Sequence, residues 1–458
     1  MHQTKFALAM LTAAILAGCG GGSSGGDQTL KTKFSAQVTF GDSLSDVGSY
    51  AVGTIALLGG GKFTINGDNT ATSPVMTGKN WTELMAAQFG LPAPCAAQTG
   101  LMGDATQGFN VAVVNHPGCY GYAQGGSRVT DAVGPGNVND GTANGATVGA
   151  LTVPVSTQIQ NHLTAVGGKF KGDEVVFVTV GGNDTAAQLG ILQAGAAAAG
   201  AAAGAQAFAQ EYVGLLAAGA TNPATAAQAI GLALGTENAR PGHTDQSVVI
   251  AAATAAAGQP GNLAVGSPAV FGVMAAKAKA DATLTGTQAG LAYAAAHGKD
   301  AVAGMAKAGA DTASLVLTQI VANGANFVVV NNLPDFGGAP VGKAQSADTQ
   351  VLIAAMVDAY NSTLKAALTG QAKVLLVDLY SISHDEIINP LPYGLTNTST
   401  AACGPNKLGT TSLVCTGKNV IAGDVSHYMF ADDRHPTPFE YSLIAKYVAE
   451  QMIIRGWL

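Results

Sequence analysis

Phe34-Ser35-Ala36-Gln37-Val38-Thr39-Phe40 runs straight into Gly41-Asp42-Ser43-Leu44-Ser45-Asp46. The first seven residues have strand character. The next six carry a glycine, two serines and two aspartates where a strand should give way to a loop, a position that exposes a nucleophile. The same grammar returns at Glu174-Val-Val-Phe-Val-Thr-Val180, followed by Gly181-Gly182-Asn183-Asp184. Strand character appears again at Asn326–Val330 and Val374–Leu379. Helical periodicity is expected over Asn80–Phe89, Ser156–Val166, Asp348–Thr369 and Phe439–Met452. Apolar strands alternating with helices predict an α/β fold with a mainly parallel sheet covered on both faces. In such sheets functional residues gather at the carboxyl ends of the strands, where Ser43 and Asn183 fall.

Two stretches interrupt this alternation. Cys95–Val148, rich in Gly, Asn and Pro, reads as mostly loop. Leu189–Asn323 contains Ala194–Ala207, almost pure Ala and Gly, and reads as a helical insertion whose small residues let helices pack closely. Gly258–Pro268 looks like a loop between two such helical stretches.

Composition narrows the function. The chain has 458 residues, 48% apolar and only 11% charged, with 21 basic against 28 acidic residues and a net charge of −7. No basic block is present, so no nucleic-acid partner is expected. Lys5 followed by the apolar run Phe6–Ala17, too short to span a bilayer, reads as an export signal. It ends in Leu16-Ala17-Gly18-Cys19, which resembles a bacterial lipobox. The expectation is a signal peptide over residues 1–19, lipid on Cys19, a tether over 20–33 and a catalytic domain over 34–458, on the outer membrane or cell surface. Without lipidation the protein would be periplasmic or secreted. The other four cysteines, Cys95, Cys119, Cys403 and Cys415, allow three pairings. Cys95–Cys119 with Cys403–Cys415 closes the shortest loops and is the pairing favoured here.

A third segment, Asp432-Asp433-Arg434-His435-Pro436-Thr437, completes a chemical set. Ser43 supplies a hydroxyl, Asn183 an amide donor, and Asp432 with His435 an acid–base pair within one turn. These are the parts of ester hydrolysis through an acyl-enzyme, and they call for no cofactor or metal. Ser43 also suits a helix N-cap. Asp424-Val425-Ser426-His427 repeats the Asp-x-x-His spacing and competes with Asp432/His435. Gly21-Gly22-Ser23-Ser24-Gly25 matches a nucleophile-elbow pattern but lies in the tether, without strand or helix beside it. The remaining histidines, His116, His162, His243, His297 and His384 among them, read as isolated surface residues.

Gly41-Asp42-Ser43-Leu44, Gly126, Gly182-Asn183-Asp184 and Asp432-x-x-His435 together resemble the blocks of the GDSL lipase/esterase family, the SGNH hydrolases, in order and placement. Tyr122–Ser127 and Asn332-Leu333-Pro334-Asp335 are similar to its bacterial lysophospholipase-like branch. The resemblance implies a three-layer α/β/α sandwich, Ser43 as nucleophile, His435 as base and Asp432 as its orienting acid. It further implies an oxyanion hole from the Ser43 and Gly126 N–H groups and the Asn183 amide. Gly125 is a near rival to Gly126. The position five before Gly126, usually Asn in the family, is Gly121 here. The implied activity is hydrolysis of acyl esters, lysophospholipid or other lipid esters foremost. Acetylated glycans, polyesters, acyl transfer and a non-catalytic surface lipoprotein are the alternatives. His435 is preferred over His427 because Pro436-Thr437 follows it.

Overall fold

The computed structural model describes residues 32–67 and 77–458. The export signal, Cys19 and nearly all of the tether lie outside the described residues. Four strands, β1 (Gln37–Gly41), β4 (Val175–Thr179), β5 (Phe327–Asn331) and β6 (Val374–Val377), form a parallel sheet in that order. Two others, β2 (Gln98–Met102) and β3 (Asn110–Asn115), pair antiparallel.

The helices are α1 (Gly53–Leu57), α2 (Trp81–Gln88), α3 (Ala143–Val148), α4 (Val155–Ala165), α5 (Gly182–Ala217) and α6 (Pro223–Asn238). They continue with α7 (Asp245–Ala257), α8 (Pro268–Leu315), α9 (Pro340–Lys343), α10 (Ala347–Leu368), α11 (Leu379–Ile388) and α12 (Pro438–Ile454). A π-helical turn, Val316–Val321, ends α8.

Strand side chains alternate between faces, so each strand feeds two cores. Val38, Phe40, Val176, Val178, Val328 and Val330 pack with residues of α4, α8 and α10. Val175, Phe177, Val329 and Val377 pack with Trp81 and Met85 of α2 and with Tyr441, Val448 and Met452 of α12. Near-continuous β-branched strands are what burial on both faces demands. The mixed α/β class and the parallel sheet expected from the sequence are therefore present.

The segment around Gly121 lies along the outer edge of β1. Tyr122 N–H donates to Thr39 O (2.8 Å), and Thr39 N–H to Tyr120 O (3.0 Å). Gly121 bridges Thr39 in parallel register. This edge carries Gly125 and Gly126 to the sheet end where Ser43 sits. Reading Cys95–Val148 as mostly loop missed this, along with the β2–β3 hairpin and α3. Val111, Val113 and Val114 give this stretch β-branched character, but glycine and asparagine on either side masked it.

The Ala/Gly-rich stretch forms long helices. Gly200 faces Gly286, Gly204 faces Ala282, and Ala196 faces Gly290, so α5 and α8 run antiparallel. The spacing of four places these small residues on one face of each helix. A Cβ on Gly200 would stand 2.7 Å from the Gly286 carbonyl oxygen, so glycine is required for backbones this close. At the far end α6, α7 and the first turns of α8 enclose a separate cluster around Tyr212, Ile230 and Ala252. By length and composition α5 is apolar enough to cross a bilayer, although its first turns belong to the α/β body.

Candidate active site

Ser43 lies two residues beyond β1, in a tight turn closed by Ser45 N–H to Asp42 O (3.1 Å). No helix starts at Ser43, so the N-cap reading is corrected. The nearest helix, α1, begins at Gly53. Polar groups of the turn instead converge on Asp46. Its carboxylate accepts from Gly48 N–H (2.8 Å), Ser49 N–H (2.7 Å), Ser49 Oγ (2.6 Å) and Gly125 N–H (2.9 Å). Asp46 thereby clamps the serine turn to the glycine loop, a role that its position in the sequence did not disclose.

His435 Nε2 is 2.9 Å from Ser43 Oγ. Its Nδ1 is 2.7 and 2.9 Å from the two Asp432 oxygens. With the carboxylate on Nδ1, that nitrogen carries the proton and Nε2 is free to accept one from the serine. The Asp432 carboxylate also accepts backbone N–H bonds from Ser412 (2.9 Å), Arg434 (3.0 Å) and His435 (2.8 Å). Burial alone would raise the Asp432 carboxyl. The adjacent His435 and these donors outweigh it and hold the group well below the usual carboxylate range.

Supports reach this pair from distant segments. Ser412 belongs to the loop closed by the Cys403–Cys415 disulfide. The Phe63 ring lies 4.9 Å from the His435 ring, centroid to centroid. Thr437 caps α12 through the Glu440 N–H, so the histidine block ends where a rigid helix begins. Neither Ser412 nor Phe63 carried a recognisable motif.

The competing pair is elsewhere. His427 Nδ1 meets Gly394 O at 2.9 Å, and its ring stacks on Phe439. Asp433 pairs with Arg434 rather than with the histidine. His162 is a correction of a different kind. It is buried, not on the surface, and is ringed by Phe40, Tyr120, Tyr122 and Phe170, with neither nitrogen hydrogen-bonded among the described residues. Burial pushes its pKa down to about 4.

Gly126 and Asn183 line the same cavity as Ser43 and His435, with a volume of about 670 Å³. Gly126 has φ +81°, and a Cβ there would meet the Pro135 carbonyl at 2.3 Å, so glycine is enforced twice over. Its neighbour Gly125 is fixed by Tyr50, whose hydroxyl donates to Gly125 O (2.7 Å). Asn183 stands in the first turn of α5 and donates one amide hydrogen to Ser127 O (2.9 Å). That leaves its second amide hydrogen available. Asp184 binds Val129 N–H (3.1 Å) and Arg128 (3.2 Å), fastening the helix start to the glycine loop. Gln158 joins β1 to the same loop through Gly41 O (2.8 Å) and Ser127 Oγ (3.2 Å). Among the described residues no group of three or more His, Cys, Asp or Glu is arranged to hold a metal ion.

No family model matches the chain. The chain is similar to a GDSL esterase/lipase of Arabidopsis thaliana, 34% identical over 99 residues, which cover 20% of this chain and 27% of the relative. It is also similar to the GDSL esterase/lipase APG of the same plant, 27% identical over 146 residues, or 30% of this chain and 41% of the relative. Lipase 1 of Photorhabdus luminescens is 34% identical over 74 residues, 16% of this chain and 11% of that protein. These similarities support the GDSL family. The match spans between about a tenth and two fifths of each of these relatives, so it supports the GDSL family but not its lysophospholipase-like branch.

Both favoured disulfides, Cys95–Cys119 and Cys403–Cys415, are present. Paired cysteines point to an extracellular or periplasmic location.

Proposed function

We propose that this chain is an exported GDSL-type serine esterase that hydrolyses acyl esters through an acyl-enzyme. The observation that carries the reading is the continuous hydrogen-bonded line from Ser43 Oγ through His435 to Asp432. A serine hydroxyl is a weak nucleophile until a base stands within hydrogen-bond reach. His435 takes the Ser43 proton as Oγ attacks the carbonyl carbon. Asp432 holds the imidazole in the required tautomer and stabilises its charged form. The Ser43 and Gly126 N–H groups and the free Asn183 amide hydrogen receive the developing oxyanion. His435 then gives its proton to the leaving alkoxide. Water enters, surrenders a proton to His435 and releases the acid from Ser43.

The natural substrate in this reading is a lipid ester such as a lysophospholipid. The α/β body is a three-layer sandwich with residues 189–323 as its insertion, and Cys19 is the lipid attachment point. Hydrolysis of p-nitrophenyl esters by the chain beginning after Cys19, beside its Ser43→Ala variant, tests the enzymatic claim. Cleavage by the parent alone is expected. Equal cleavage by both sinks the assignment of Ser43, and cleavage by neither favours a binding protein. Mass spectrometry of the membrane-extracted protein, with and without Cys19→Ser, tests the anchor.

A further inference from the structure

The cavity is divided by polarity. Its charged lining residues, Asp42, Asp432, Asp433, Arg434 and His435, all come from the Ser43 turn and the His435 block. A second part of the lining comes from α5, the segment after β5, and α10, and it contains no charge. There Leu189, Leu333, Phe336 and Ile353 line the cavity, with Gln193 among the polar residues beside them. Leu333 and Ile353 are 2% and 5% exposed and belong to the main core, so they form a floor rather than a rim. This wall starts beside Asn183. A Cβ on Gly181 would stand 3.2 Å from Leu333 Cδ2, and one on Gly182 would stand 2.7 Å from Phe336 Cζ. Two successive glycines thus let apolar side chains close in under the start of α5.

The chemistry orients a substrate in this space. The leaving oxygen must face His435, which protonates it, and the carbonyl oxygen must face Gly126 and Asn183. The uncharged lining that begins beside Asn183 then lies next to the carbonyl carbon, where the acyl chain departs. We propose that the apolar branch bounded by Leu189, Leu333, Phe336 and Ile353 receives the acyl chain and selects esters of medium to long acids, about eight carbons or more. The inference rests on the esterase reading above. It adds which wall reads the acid and which residues set chain length. A cavity of this size lies within the range of about 300–1,000 Å³ that encloses small-molecule ligands.

The experiment measures kcat/KM for p-nitrophenyl acetate through decanoate with the parent, Ile353→Trp and Leu189→Trp. The second variant alters a partly exposed site, which keeps the test usable if the buried Trp prevents folding. Each methylene entering the branch should raise kcat/KM by about fourfold until the branch is full. Either Trp should lower the decanoate-to-acetate ratio by about tenfold or more. A parent that prefers acetate, or variants with an unchanged ratio, overturns the proposal. Decanoate binding to Ser43→Ala by calorimetry separates the two claims. If the parent hydrolyses nothing, binding that Ile353→Trp abolishes keeps the apolar branch and removes only the esterase reading. Absent binding removes the branch.

Discussion

Ser43, His435 and Asp432 are hydrogen-bonded one to the next in space, although their sequence positions are 392 and 3 residues apart. The short separation was readable as a turn, while the long one rested on the order of motifs. If Asp432 fixes the tautomer, Asp432→Asn should lower kcat by about 10³–10⁴-fold with little change in KM. Asp433→Asn, whose carboxylate binds Arg434 side-chain nitrogens rather than His435, should change kcat by less than about threefold. Steady-state kinetics on one soluble ester checks both. What separates His435 from His427 is not spacing, which is identical, but where the backbone carries each ring. His162 was misread because an isolated histidine looks the same in sequence whether buried or exposed. Its cage has a measurable consequence. A histidine held neutral, with a folded pKa of about 4 against an ordinary 6.5, binds fewer protons folded than unfolded. Stability is therefore fully present above about pH 6.5 and falls as the pH drops toward 4. His162→Phe should flatten that slope in urea titrations across this range, and an unchanged slope would refute the role.

At the scale of elements, the parallel strands were legible because burial on both faces forces β-branched runs such as Val175–Thr179. The edge segment at Tyr120–Gln124 was not, because it makes only isolated bridges, to Thr39 and Ala96, and glycines flank it. The α5–α8 pair was expected as close-packed helices, but its register could not be read from Ala and Gly alone. That register yields a contrast within one helix. Gly200→Leu drives a side chain into the Gly286 backbone and should destabilise by about 1–3 kcal/mol or more. Gly214→Ala, with nothing within 4 Å of the added Cβ, should stabilise by about 0.5–1 kcal/mol. Thermal and chemical denaturation of the two variants reads both signs. Equal effects would mean that the glycines act only through helix propensity.

For the whole molecule, the parallel sheet brings Ser43 and Asn183 to one end, and edge segment and α12 deliver Gly126 and His435 to the same place. The motifs revealed which side chains take part. They did not reveal the supports, Asp46, Ser412 and Phe63, whose roles exist only once distant loops meet. Nor did they reveal how α5 continues from the site into a long helical arm. The central claim is that this assembly makes an acyl-enzyme on Ser43. Its most direct test is rapid acid quench during turnover of a p-nitrophenyl ester, followed by peptide mass spectrometry. An acyl adduct is expected on the peptide containing Ser43, absent from Ser43→Ala, which should lose hydrolysis by about 10⁴-fold or more. Undiminished turnover by Ser43→Ala, or an adduct on another residue, would contradict it.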